Sequence, residues 1–472
     1  MTRPKQDSAG SRLSRRDFVR TGGAALAGGA ALTGGVLPVG PSLPPFHDTT
    51  PGSELYRPPY DRTAQVKAWK TLGRTGFQAS DVGMGSVPLR DAGVVRYAFD
   101  KGVNYFDTAE GYGNGTAERV IGEALQGVDR KKVFITSKIA VSARDTEQTV
   151  LDRFGRCQER LRTPYIDAFY LHGPDSAEAF SHAGFHSACD RLKAEGRIRF
   201  VGLSYHGPRG PQGNSLADVC CAAVEDGRFD LMLFVYNFMN REEGDRVIAA
   251  CQVKNVGATA MKTSPGVLRF EPVDPAHLTE EQERNVERLT SRGRSREQAI
   301  DQLRQQAERT RPTWEQTLPF AERYSIETDE QLRLASIHWV MQNPGMHTAC
   351  VSFTDFDLVD KVVPLSGTPM SPAGFALLEA GGEALDDRYC RHGCNACSVA
   401  CPSGVPVSTI MRYAYYFEGQ GEQRLAMQKY ACLTGPDARA CFGCNGPCAA
   451  VCPWGLDVPA QLIQAHARLA LE

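Results

Sequence analysis

Residues 103–138, VNYFDTAEGYGNGTAERVIGEALQGVDRKKVFITSK, hold the pattern that decides the fold. A short apolar run (103–108) leads through a glycine-rich loop into a segment of helical spacing (117–126), and a second apolar run follows (133–138). Brief, nearly continuous apolar runs suit parallel strands buried on both faces, and the amphipathic segment between them suits a crossover helix. The same alternation continues outward, with runs at 81–86, 168–172, 200–204, 231–237, 257–262 and 348–353. Eight such units over about 300 residues predict an α/β fold, a (β/α)8 TIM barrel, for which roughly 250 residues is typical. An open doubly wound sheet would alternate in the same way, but no Gly-x-Gly-x-x-Gly follows the first run.

The chain has 472 residues, 42% hydrophobic and 23% charged, with a formal net charge of −2. Such a balance suits a soluble protein with a sizeable core and argues against nucleic-acid binding, which favours a basic surplus. Nowhere do 20 strongly apolar residues run together, so no ordinary membrane span is expected. Near the start, Arg15 and Arg16 are followed by Phe18 and a Gly/Ala-rich stretch at 21–39. This resembles a twin-arginine signal (1–40), which implies recognition by the Tat export machinery and a periplasmic or otherwise extracytoplasmic location. The segment could also be retained as an anchor, and a basic tail with a chance arginine pair is the plainer reading. Residues 41–65 are proline-rich and read as a linker to a barrel at 66–365.

Polar residues stand at the ends of three runs: Asp107, Lys138 and His172. Tyr112 sits in the glycine-rich loop after Asp107. In a barrel these strand ends converge on one face. Reducing a carbonyl needs a proton donor for the developing alkoxide. Tyrosine is a weak acid, and a lysine ammonium nearby would stabilise its phenolate. Asp107 would hold Lys138, and His172 would orient the substrate oxygen. Each residue alone reads more simply as a packed tyrosine, a structural ion pair or a core histidine.

Residues 104–113 (NYFDTAEGYG), 135–138 (ITSK), 166–172 (IDAFYLH), 196–204 (GRIRFVGLS) and 72–76 (LGRTG) together resemble the aldo/keto reductase family. The resemblance implies Tyr112 as general acid/base and a nicotinamide cofactor, NAD(P)(H), bound through Gly85, Ser86, Ser204, Tyr236, Met261 and Lys262. It implies a carbonyl (aldehyde, ketone or sugar) or alcohol substrate. Some positions depart from the family pattern. Tyr205 follows Ser204 where Asn is common, Leu233 replaces Gln, and Ala260-Met261-Lys262 replaces a stacking aromatic. Asp355 and Asp357 would repel the 2′-phosphate of NADP. A charged, helix-prone insertion at 269–324 could serve as a lid or be a solvated excursion.

Nine of the 15 cysteines lie between Cys390 and Cys452. Cys390, Cys394, Cys397 and Cys401 precede Pro402, and Cys441, Cys444, Cys448 and Cys452 precede Pro453. Zinc would want paired Cys-x2-Cys knuckles, and export would permit disulfides. Two [4Fe–4S] clusters need eight thiolates in such a duplicated arrangement. The region 380–472 resembles a dicluster ferredoxin domain of mainly α-helical type. In that type, three cysteines of one set join the last of the other, and Cys432 stands in reserve. The sequence thus reads as an exported oxidoreductase fused to an electron-transfer domain, with a redox partner protein. The alternative is an iron–sulfur electron-transfer protein whose barrel only docks.

Overall fold

The computed structural model describes residues 55–470, apart from 88, 175, 209–212, 266–272, 279, 291–293, 327–328, 387–388 and 419–422. The arginine pair and most of the proline-rich linker lie outside the described residues. An antiparallel hairpin comes first, β1 (Trp69–Thr71) and β2 (Gln78–Ser80). Eight parallel strands follow: β3 (Val82–Gly85), β4 (Tyr105–Asp107), β5 (Phe134–Ile139), β6 (Ile166–His172), β7 (Ile198–Tyr205), β8 (Leu231–Val235), β9 (Gly257–Met261) and β10 (Thr348–Ser352). β10 pairs with β3 and closes the barrel. All eight apolar runs have become strands.

Strand side chains alternate between two environments, as a period of two requires. Tyr105, Phe134, Ala168, Tyr170, Leu231, Leu233 and Cys350 fill the lumen. Their neighbours Phe106, Ile135, Phe169, Leu171, Met232 and Phe234 belong to the larger core outside the barrel wall. Gly202 leaves room for the Tyr170 ring, since a Cβ there would lie 2.4 Å from it. Leu72, fully buried in the hairpin turn, plugs the lumen floor.

The insertion after β9 contains helices Glu280–Thr290 and Arg296–Arg323. The second ends with Phe320 packed against Gly381 of helix Pro372–Leu385. Beyond residue 390 the chain is helical, with Val407–Glu418, Gln423–Ala431 and Val458–Leu469 around a small core of their own. No helix among the described residues is long and apolar enough to cross a membrane.

Candidate active site

Asp107, Lys138 and His172 occupy lumen-facing positions at the C-terminal ends of β4, β5 and β6. Each is reached by counting in twos from Tyr105, Phe134 and Ala168. Lys138 is fully buried, and Nζ donates to Asp107 Oδ1 (2.7 Å), Asp107 Oδ2 (2.6 Å) and the Thr108 carbonyl (2.7 Å). Thr136 Oγ1 donates to Asp107 Oδ1 at 2.7 Å. Three donors meet three acceptors, which is what a buried ammonium needs to offset its desolvation.

Tyr112 is placed by its own loop. Its N–H donates to the Ala109 carbonyl, and its carbonyl accepts from Ala117 at the start of helix Thr116–Ala124. Gly113 and Gly115 take left-handed backbone, and a Cβ on Gly115 would meet Arg160 at 2.6 Å. Arg160 in turn pairs with the buried Glu118. The loop is therefore pinned, and the Tyr112 ring lies 5.2 Å from Lys138 Nζ and edge-on to His172 at 6.1 Å. The expectation that Lys138 lowers the Tyr112 pKa is not met. Burial, then the charges of Asp107 and Tyr416, push this phenol well above its usual value of 10. The Lys138 charge is closed off by Asp107, so burial prevails.

The six expected cofactor residues divide. Gly85, Ser86, Ser204 and Met261 lie at the strand ends around the mouth. Among the described residues, the hydroxyls of Ser86, Thr108 and Ser204 are buried without a hydrogen-bond partner. Such atoms cost about 1–3 kcal/mol each until something completes them, so this rim fits the polar head of a nicotinamide. Tyr236 is a correction. It is out of phase with the lumen residues Leu231 and Leu233, and lies between barrel and helices. Its hydroxyl donates to Asp245 (2.7 Å) and accepts from Asn343 (2.8 Å), and its ring packs on Trp339. Lys262 has left-handed backbone (φ 51°), held by Asn237 Nδ2 on its carbonyl at 2.8 Å, and its ammonium turns to the cysteine-rich segment.

That segment covers the loops after β7 and β9. Leu216 N–H donates to the Gly393 carbonyl (3.0 Å), Thr409 Oγ1 to the Pro208 carbonyl (3.3 Å) and Tyr415 Oη to the Ser264 carbonyl (3.3 Å). Gly207 and Gly393 touch so closely that a Cβ on Gly207 would lie 2.3 Å from the Gly393 Cα. Sequence reading missed these contacts. The aromatic run Tyr413–Tyr416 was the available signal.

The eight paired cysteines line two separate small cavities. Cys390, Cys394, Cys397 and Cys452 surround one, and Cys441, Cys444, Cys448 and Cys401 the other. Exposed Cys432 lines neither. Among the described residues, no three or more His, Cys, Asp or Glu side chains are drawn together as a site for a metal ion. Each cavity thus has four cysteines in its lining. Burial, then the neighbouring cysteines, raises the Cys397 thiol to about 12 and the Cys441 thiol to about 11.

The aldo/keto reductase family profile matches residues 84–380. The chain is 25% identical over 230 residues to D-threo-aldose 1-dehydrogenase of Pseudomonas sp, covering 42% of this chain and 67% of that protein. It is 30% identical over 164 residues to a probable aldo-keto reductase of Glycine max, covering 31% and 46%. The matches thus span about half to two thirds of these curated relatives. An aldo-keto reductase structure from Bacillus halodurans (holo form) aligns with TM-score 0.46 and 18% identity over 66% of this chain and 95% of that one. With the matched family spanning barrel and strand ends alike, the chain belongs to the aldo/keto reductase family.

Proposed function

We propose that the protein interconverts a carbonyl and an alcohol at the C-terminal mouth of the barrel. The single observation that carries this reading is the Lys138–Asp107 pair seated beneath the Tyr112 ring. Tyr112 gives its hydroxyl proton to the substrate oxygen in reduction and recovers it in oxidation. His172, edge-on to Tyr112, orients that oxygen. Asp107 and Thr108 fix Lys138 under the ring. The high pKa of Tyr112 keeps the proton in place until an alkoxide forms to take it. A reduced nicotinamide, when bound, supplies the hydride, and Ser86 and Ser204 are the hydroxyls offered to its polar head. The names of relatives such as D-threo-aldose 1-dehydrogenase favour a sugar-like substrate.

Two [4Fe–4S] clusters fit the two cysteine cavities, in crossed sets of three plus one. A cluster, when bound, accepts and releases single electrons, to be exchanged with a redox partner protein. The domain plan is a signal, a linker, a barrel and a cysteine-rich domain. Arg15 and Arg16 direct export, and replacing both with lysine is expected to keep the protein in the cytoplasm on cell fractionation.

The test of the reaction is Tyr112→Phe in holoprotein purified without oxygen. Carbonyl reduction should fall by about 10²–10⁴-fold with iron content unchanged. Full activity in this variant would refute the assignment.

A further inference from the structure

The two cysteine cavities differ in what else lines them. The cavity of Cys390, Cys394, Cys397 and Cys452 is also lined by Arg391, Ser408, Met411 and Trp454. Around the cavity of Cys401, Cys441, Cys444 and Cys448 the other side chains are apolar except that of Ser403, which is exposed. The Val405 N–H, which donates to Cys401 Sγ at 3.3 Å, is a backbone group. Arg391 is only 6% exposed. Its Nη1 donates to the carbonyls of Asp386 (2.6 Å) and Tyr389 (2.8 Å), just past helix Pro372–Leu385, and its Nη2 pairs with the Asp386 carboxylate. The Trp454 ring packs on the guanidinium, with Cζ 3.9 Å from the ring centre. Among the described residues, Arg391 Nε is then left buried without a hydrogen-bond partner, and so is Ser408 Oγ. An orphaned buried donor is costly, most of all on a charged group. Here two of them share one cavity lining with four cysteines, and sulfur is an acceptor that would complete both.

We propose that Arg391, backed by Ser408, makes the cluster of its cavity the more easily reduced of the two. The proposal rests on the cluster reading given above. Reduction adds one electron, and no bond forms or breaks. A guanidinium keeps its charge at every accessible pH, so Arg391 favours the added negative charge without titrating itself. Local net charge and hydrogen bonds to sulfur are both levers on a cluster's potential, and this cavity has them where the other has an apolar wall. Two carboxylates nearby do not line the cavity. Asp386 is partly exposed and taken up by Arg391 on its Nη2 side, away from Nε. Glu243 accepts from the Ala217 N–H (2.8 Å) and faces Arg246 (3.6 Å). The same cavity is tied to the barrel. The Gly393 carbonyl, between Cys390 and Cys394, accepts from Leu216 N–H, and Asn395 Nδ2 donates to the Gly213 carbonyl. The better electron acceptor therefore lies against the barrel.

A potentiometric titration of the full-length holoprotein with dithionite, followed by electron paramagnetic resonance, tests this. Two one-electron steps are expected. Cys444→Ser, at the other cavity, should alter the lower step alone. Arg391→Met should disfavour reduction at the higher step by about tenfold or more, about 59 mV for one electron, and leave the lower step in place. Arg391→Lys, which keeps the charge, should recover most of that shift. Ser408→Ala should move the same step in the same direction by less, and it decides the matter if Arg391→Met fails to fold or to hold iron. Native protein without iron would refute the cluster reading itself. With about eight iron per chain present, three results would overturn the role of Arg391: one potential for both clusters, a higher step that Arg391→Met and Ser408→Ala leave unmoved, or a higher step that Cys444→Ser alters.

Discussion

The mouth of the barrel and the cysteine-rich domain are both buried polar sites, and they reach polar satisfaction differently. At the mouth, Lys138 finds Asp107 and Thr108 within its own chain, and the strands deliver all three in register. In the cysteine-rich domain, thiols line two cavities, and burial, then the neighbouring cysteines, raises those of Cys390 and Cys441. At the mouth the Lys138 ammonium is satisfied by protein atoms, while, among the described residues, the hydroxyls of Ser86, Thr108 and Ser204 stay open. The second site is two groups of four cysteines, each around its own cavity, for which clusters are proposed above.

If that contrast holds, stripping iron from the holoprotein has the largest effect. The domain beyond residue 390, with its small separate core, should lose protection from hydrogen exchange while the barrel strands keep theirs. Native protein should carry about eight iron per chain. Equal protection in both regions of iron-free protein would erase the distinction. Next in size is Lys138→Met. It leaves Asp107 buried without its partner and should cost about 3–5 kcal/mol in denaturant unfolding, together with activity. Restoring stability by adding Asp107→Leu to it would sharpen the point that the pair, not either residue, suits the site. The smallest effect is one of pH. Burial holds His338 and His347 below 6.5. Their neutral forms are therefore favoured in the fold, and they contribute stability that is present above 6.5 and lost as pH falls through the lowered folded values. His338 bonds Tyr56 (3.0 Å) and the Thr368 carbonyl (2.9 Å). His338→Gln should flatten the acid limb of thermal stability between neutral pH and pH 5.

Much of the barrel site was legible because strand geometry is local. A period of two turns Asp107, Lys138 and His172 inward once their runs are recognised. The same counting from Leu231 and Leu233 turns Tyr236 outward, which assigning residues by resemblance overlooked. The Tyr112 pKa was misjudged for a different reason. Proximity to Lys138 was inferred correctly, but how fully Asp107 and Thr108 enclose that ammonium depends on packing.

By itself, the sequence determined the eightfold alternation, the lumen-facing polar residues, the family and the two sets of four cysteines. These follow from spacing along the chain, where backbone geometry ties residue number to direction. Only the tertiary structure decided that Lys262 lies against Tyr416 some 150 residues away, and that Gly393 and Tyr415 meet the loops after β7 and β9. Contacts of that kind depend on how two separately formed units pack, and short-range periodicity carries no record of it.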